Sequence, residues 1–298
     1  MSPPSLDVQA ALAWQRRAPL STPWLHAEVA SRMAQRLEWI KLQPRHWLHW
    51  DALRSSLEQH ETLAGCYPAA KPWCPVPDRA PGTYMESLQQ LAKPWWQWKR
   101  WTQPVPEFSW PLTGGVDMLW ANMAMHNSED PQALVKRWHE LLSTDGFLMF
   151  SCLGPDTLRE LRALYHELGW GEPMHALTDM HDYGDMLVQA GFAEPVMDME
   201  RIVLTFPTPE RALQELRELG RNRHVNRMGG LRARGWLAQL KQGMDTRLRK
   251  DTGDITLTFE IIYGHAIKPA PRIRVSEHSS VSLQDMRQML AINQQSKL

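Results

Sequence analysis

Three cysteines are all that the 298 residues provide, and Cys66, Cys74 and Cys152 form no Cys-x-x-Cys pair. An odd, scattered set of thiols excludes a disulfide framework and fits a reducing compartment. Each is read as a small buried apolar side chain, with no metal ligand assigned. Net charge is missing too, because Lys+Arg and Asp+Glu both number 33. The chain as a whole is steered toward neither nucleic acid nor an anionic membrane, so an electrostatic partner must be sought in local clusters. No stretch approaches the ~18 apolar residues that a bilayer span needs. The opening MSPPSLDVQAALAWQRR lacks a charged segment followed by an apolar core, so a cytoplasmic location is expected. What is plentiful is apolar residue, 43% of the chain, enough for one large core and against disorder. Tryptophan is also abundant, at 15.

Glycine and proline punctuate the chain unevenly. From Trp24 to Leu42 apolar residues recur at three- and four-residue steps, which predicts an amphipathic helix ending before Pro44. Trp47 to Trp50 reads as a short strand and Ala52 to Leu63 as a helix. The nine prolines between Tyr67 and Pro111 exclude long regular elements there, since each lacks an amide donor and restrains its predecessor. A strand is then predicted at Val116–Trp120, and a helix capped by Asp130 with Pro131 at its first position. Phe147 to Leu153, nearly all apolar, has the length and character of a buried parallel strand, followed by a helix from Thr157 to Leu168. Another helix, Met180 to Ala190, stops at Gly191 and leads to a strand at Val196–Phe206. A helix-rich, basic excursion follows, and a last strand runs from Ile255 to Ile267. Strands alternating with helices specify a doubly wound, mostly parallel α/β sheet. The expected organisation is one domain over 1–268, with a helical insertion at 207–253 before the last strand and a loosely attached tail at 269–298.

In such sheets ligands lie beyond the carboxyl ends of the strands, which directs attention to Ala121–His126 and Cys152–Pro155. The run VDMLWANMAMHNSEDPQALVKRWHELLSTDGFLMFSCLGPDTLRELR, with MHDYGDMLVQAGFAEPVMDMERIVLTF and LTFEIIYGHAIKP after it, resembles class I S-adenosylmethionine-dependent methyltransferases with their Rossmann-like fold. More narrowly it resembles the malonyl-[acyl-carrier protein] O-methyltransferases of biotin synthesis, over about half the chain and in the right order. The resemblance implies transfer of a methyl group from S-adenosylmethionine to the free carboxylate of a malonyl thioester on acyl carrier protein. An ionised oxygen displacing a sulfonium needs no strong base. It needs near-attack positioning in a water-poor pocket and a clamp for the carboxylate. His126 is the candidate clamp; the competing reading is a surface histidine ahead of a helix cap.

The first βα turn departs from the family pattern. Where the resemblance implies an acid and a glycine-rich loop, the chain has Trp47-Leu48-His49-Trp50-Asp51-Ala52-Leu53-Arg54-Ser55, without one glycine. Cofactor contacts are therefore expected from His49 and Asp51 here, and from Asn122 and Met123 after the next legible strand. Asp78 is the acid in the region where one should bind ribose hydroxyls; an ordinary loop aspartate is the competing reading. The missing glycines also motivate an alternative function, a non-catalytic protein-binding module on the same fold.

Two clusters remain. In the excursion, Arg221, Arg223, Arg227, Arg232 and Arg234 form a local basic excess suited to docking an acidic carrier protein, against a bland reading as a solvated face. Aromatics are too sparse there for a nucleic-acid surface. The tryptophans Trp95, Trp96, Trp98, Trp101 and Trp110 read as core filling, with an aromatic lid as the functional alternative.

Overall fold

The computed structural model describes residues 5–78, 80–89, 104–112, 114–227, 234–250 and 253–271. Six strands make one sheet: β1 (His46–His49), β2 (Lys71–Trp73), β3 (Val116–Ala121), β4 (Leu142–Leu153), β5 (Ala193–Phe206) and β6 (Ile255–Ile267). Their order is β2-β1-β3-β4-β6-β5. β2, β1, β3 and β4 pair in parallel, whereas β6 lies antiparallel between β4 and β5. Burial explains the sequence patterns. β3 and β6 are interior strands covered on both faces and read as continuous apolar runs; β5 is an edge strand whose exposure alternates.

Helices cover both faces. On one side lie α2 (Trp24–Gln35), α4 (Leu57–Cys66), α7 (Arg159–Glu167), α9 (Pro209–Leu219) and α10 (Arg234–Arg247), through Val29, Met33, Leu63, Leu164, Ala212 and Met244. On the other, α6 (Pro131–Leu141) and α8 (Met180–Gln189) contribute Val135, Trp138, Tyr183 and Leu187. The predicted cap of α6 is present: Asp130 Oδ1 accepts from the Ala133 amide at 2.9 Å, with Pro131 following. α9 and α10 occupy the connection between β5 and β6.

Two sequence expectations need correction. The helix from Trp24 ends at Gln35 and tightens into a 3₁₀ turn over Arg36–Trp39. The helix expected over Ala52–Leu63 is two, α3 (Ala52–Ser55) and α4, broken at Ser56, which is extended at φ 177°. The break follows from hydrogen bonding. The Ser55 carbonyl accepts from Asn122 Nδ2 at 2.7 Å, and the Gln59 amide that a continuous helix would send to it goes to Ser56 Oγ instead, at 3.2 Å. In the proline-rich stretch a short edge strand, β2, and the helix α5 (Tyr84–Leu88) form. Pro72 is tolerated in β2 because that edge is finished by a single parallel bridge, Trp73 to Glu107. Trp95, Trp96, Trp98 and Trp101, Arg232, and the tail from 272 on lie outside the described residues. No described helix is long and apolar enough to cross a membrane.

Candidate functional site

A cavity of about 460 Å³ opens beyond the carboxyl ends of β1 and β3, within the size range of small-molecule sites. Its walls include Trp14 at the end of α1 (Val8–Arg17), His26 of α2, Asp51 after β1, Met123 after β3, Asn127 of the following 3₁₀ turn and Leu219 at the end of α9. Acidic side chains are frequent around it: Asp51, Asp78, Glu129, Asp130 and Glu218. Arg137 answers two of its elements, pairing with Asp78 at 2.9 Å and lying 4.2 Å from the centroid of Trp110. Trp110 in turn packs on Trp50, 5.4 Å between centroids, so this described member of the tryptophan group is part of the cavity wall.

The turn after β1 keeps a left-handed bend without glycine. Asp51 sits at φ 48°, ψ 54°, a region that aspartate tolerates better than most residues, for about 1–2 kcal/mol of strain. Its carboxylate is held from both sides, by the Tyr84 hydroxyl at 2.8 Å and by Arg54 Nη1 at 3.4 Å. Those contacts hold the bend that glycine would otherwise permit. Met123, after β3, is a second non-glycine residue with positive φ, 52°, and its amide donates to Ser151 Oγ at 3.0 Å.

Asp51, Asn122 and Met123 all line the cavity, but both N–H donors of the Asn122 side chain are already used. Its amide nitrogen donates to the carbonyls of His26 (2.9 Å) and Ser55 (2.7 Å), and its oxygen accepts from Ser151 Oγ at 2.7 Å. It ties α2, α3 and β4 to β3 and shapes the wall; its amide is not offered to a ligand. His49 is displaced further from the expectation. It is fully buried behind the wall, with Nε2 2.6 Å from Ser55 Oγ and Nδ1 3.4 Å from His60 Nδ1. His60 Nδ1 is also 3.5 Å from Cys74 Sγ, so His49, His60 and Cys74 bring one ligand-type atom each within 4.8 Å. Burial pushes the His49 ring well below the ordinary histidine range and the Cys74 thiol up, which keeps these two side chains neutral. Nothing local along the chain marks the cluster: the three residues come from β1, α4 and the position after β2, and meet only when those elements pack.

His126 is buried rather than at the surface, 7% exposed. Its Nδ1 accepts the Leu153 amide at 3.3 Å, which leaves the proton on Nε2. Burial, reinforced by His26, Arg223 and His175, pushes its pKa well below the usual range. The ring is a neutral hydrogen-bond donor, so the cationic version of the expected clamp is corrected. His175 Nε2 donates to the His126 carbonyl at 3.0 Å.

The basic excursion also differs from expectation. Arg223 is 4% exposed, beyond reach of a docking partner. Arg227 pairs with Asp7 at 2.6 Å, and Lys241 with Glu210 at 2.9 Å. Arg247 pairs with Glu167 and Arg249 with Asp245. Arg221 is exposed, stacked loosely over Trp14 at 5.9 Å. Arg234 opens α10. Much of the local positive charge is spent within the fold, a fact that residue counting cannot reveal.

The buried histidines predict a pH dependence. Burial holds His26, His49, His126 and His265 below 6.5 and lowers His175 to about 4. Below 6.5 the unfolded chain takes up protons that the folded chain refuses. Stability is therefore fully present above about pH 6.5 and falls toward pH 4, by up to about 1.4 kcal/mol per pH unit for each such histidine. Urea midpoints at pH 8.5, 7.5 and 5 should be level between the first two and lower at the third; a midpoint level throughout contradicts the prediction.

No family model matches the chain. It is 40% identical over 256 residues to the malonyl-[acyl-carrier protein] O-methyltransferase of Gallionella capsiferriformans, covering 84% of this chain and 86% of that one. To the enzyme of the same name from Laribacter hongkongensis it is 36% identical over 258 residues, 84% of each chain. Among solved structures, the YcgJ protein of Bacillus subtilis superposes with a TM-score of 0.50 at 11% identity, over 81% of this chain and 99% of that one, a likeness of fold alone. With the class I methyltransferase, Rossmann-like architecture in place and relatives this similar over most of their length, the chain belongs to the malonyl-[acyl-carrier protein] O-methyltransferase family.

Proposed function

We propose that the protein transfers a methyl group from S-adenosylmethionine to the free carboxylate of a malonyl group carried on acyl carrier protein. The observation that carries this reading is the 40% identity, over 84% of the chain, to a relative with that name. The residues present fit the cofactor. The cavity has the volume for it, the left-handed bend after β1 persists at Asp51, and Asp51 and Asp78 line the walls where acids could accept hydrogen bonds from sugar hydroxyls. Asp51, Asp78 and Met123 are the residues that would hold it. When bound, S-adenosylmethionine supplies a methyl group on a sulfonium, reactive enough for a carboxylate to displace.

The chain's own task is then positional. The malonyl carboxylate is already ionised at neutral pH, so no residue has to remove a proton from it. His126, neutral and with its proton on Nε2, has one hydrogen bond to offer without adding charge, though its neighbours Met123, Ala124 and Asn127, and not its own side chain, line the cavity. Asn122 fixes the wall by its three hydrogen bonds, and the apolar side chains of Met123 and Leu134 reduce the water in the cavity. Carrier docking falls to the exposed Arg221 side of the molecule, beside Trp14 at the cavity mouth.

Calorimetric titration with S-adenosylmethionine and with its demethylated product should give saturable heats, and labelled methyl should pass to malonyl-carrier protein as a base-labile ester. Absence of heat at roughly millimolar ligand sinks the methyl-transfer reading, since ligand at about a hundred times Kd stabilises a fold measurably. Arg221→Glu should raise the KM for the carrier several-fold and leave that for S-adenosylmethionine unchanged.

A further inference from the structure

Arg223 is a buried cation that the protein itself leaves mostly unanswered. The guanidinium belongs to a residue 4% exposed, and its Nε and Nη1 have no hydrogen-bond acceptor among the described residues. Its one side-chain hydrogen bond among the described residues is from Nη2 to Asn127 Oδ1, at 2.6 Å. Burial alone lowers its pKa, to about 10, and no carboxylate among the described residues offsets that effect. Other buried or half-buried arginines behave differently: Arg32 has Glu28 and Glu200, and Arg227 has Asp7. An ion withdrawn from water without a counter-charge is among the least favourable groups a fold can contain, and its retention points to an anion supplied from outside.

Its position is equally informative. The backbone is clamped, with the Arg223 carbonyl accepting the Asp7 amide at 2.7 Å and Leu6 bridged to His224. Asn127, which holds the side chain, lines the cavity, so the guanidinium stands one side chain behind the cavity wall. Around it are His126, a neutral donor, and His175, whose Nδ1 is also buried without a partner. Among the described residues no carboxylate pairs with the guanidinium.

We infer that Arg223 is the substrate-carboxylate residue, its free N–H donors receiving the malonyl carboxylate at the inner end of the cavity, with Asn127 as the positioning residue that orients the guanidinium. This rests on the malonyl-carrier reading and deepens it. The residue expected from charge counting to meet the carrier's surface would instead select its cargo, because an acetyl group has nothing to offer a buried guanidinium.

The test compares malonyl- and acetyl-carrier protein with wild type, Arg223→Met and Arg223→Lys, by equilibrium binding and by methyl transfer. Wild type should prefer the malonyl form. Arg223→Met should erase the preference, raising the malonyl KM on the order of 100-fold with the KM for S-adenosylmethionine unmoved. It should also unfold at the same temperature as wild type or a higher one, since an apolar side chain of similar length removes a buried charge. A merely structural arginine would show the reverse, lower thermal stability with the preference intact, and that result overturns the assignment. Should the methionine variant not fold, Arg223→Lys carries the comparison: a partial preference supports the assignment and an unchanged one overturns it. If wild type binds malonyl- over acetyl-carrier through Arg223 yet transfers no methyl, the carboxylate site stands and the methyl-transfer reading falls.

Discussion

Asn122→Asp is expected to lower stability by about 2–6 kcal/mol, a large fraction of what holds an ordinary domain together. The substitution changes almost no shape. It removes the two N–H donors that meet the His26 and Ser55 carbonyls and sets a carboxylate oxygen against them in a site 2% exposed. Each buried carbonyl left facing it accounts for about 1–3 kcal/mol. A pH signature separates this from generic loosening. An aspartate so placed has its folded pKa raised above the unfolded value near 3.9, because the charged form is desolvated and repelled. The penalty is therefore complete above the folded pKa and fades as pH falls toward 3.9, where a protonated carboxyl restores one donor. Urea denaturation should give a wild-type-minus-variant gap that narrows from pH 7 to pH 5, whereas the gap for Asn122→Ala should stay constant. Ligand binding should weaken in step, because the same three bonds join α2, α3 and β4 to the end of β3 at the cavity wall. A midpoint within experimental error of wild type would mean that these bonds hold nothing.

The contrast between residues explains what a sequence can disclose. β6 was legible to the residue, Ile255 to Ile267, because an interior strand carries its signal in its own composition. The Asp130–Pro131 start of α6 was legible for the same reason, cap and first turn being four residues apart. The break at Ser56 was not: residues 52–63 keep a helical pattern, and what interrupts them is an amide 67 residues away, on Asn122. The site divides along the same line. Asp51, Asn122 and Met123 could be singled out by their place after strands, a property of topology. That His49 turns inward to Ser55 and His60 depends on how β1, α3 and α4 pack, and that Arg227 takes Asp7 depends on a partner 220 residues away. The absence of glycine after β1 does not remove the bend. Glycine is one means of reaching a left-handed bend; an aspartate braced by Tyr84 and Arg54 is another, and Tyr84 stands 33 residues beyond it.

Where glycine is indispensable is elsewhere, in β6. Gly264 pairs with Phe150 across β4 and β6, and the Phe150 ring lies over it: a Cβ at 264 would fall 2.1 Å from Cε1 and 2.3 Å from Cζ. Real contacts of that kind stand well over an ångström further apart. The ring has nowhere to retreat, being fully buried with Trp138 6.1 Å away on its helix α6. Gly264→Ala should therefore destabilise by about 3 kcal/mol, the upper end of ordinary overpacking. Phe150→Ala alone should cost about 3–5 kcal/mol through the cavity it leaves. The double variant decides whether the clash is the cause. The alanine methyl would then occupy space that the missing ring vacates, so the combined loss should fall short of the sum by more than 1 kcal/mol. Additive losses would show that Gly264 is required for its backbone and not for the ring above it. The consequence reaches the chemistry, because β6 is the strand that joins β5 to the parallel sheet. Any shift of β6 against β4 moves Leu153, whose amide fixes the tautomer of His126.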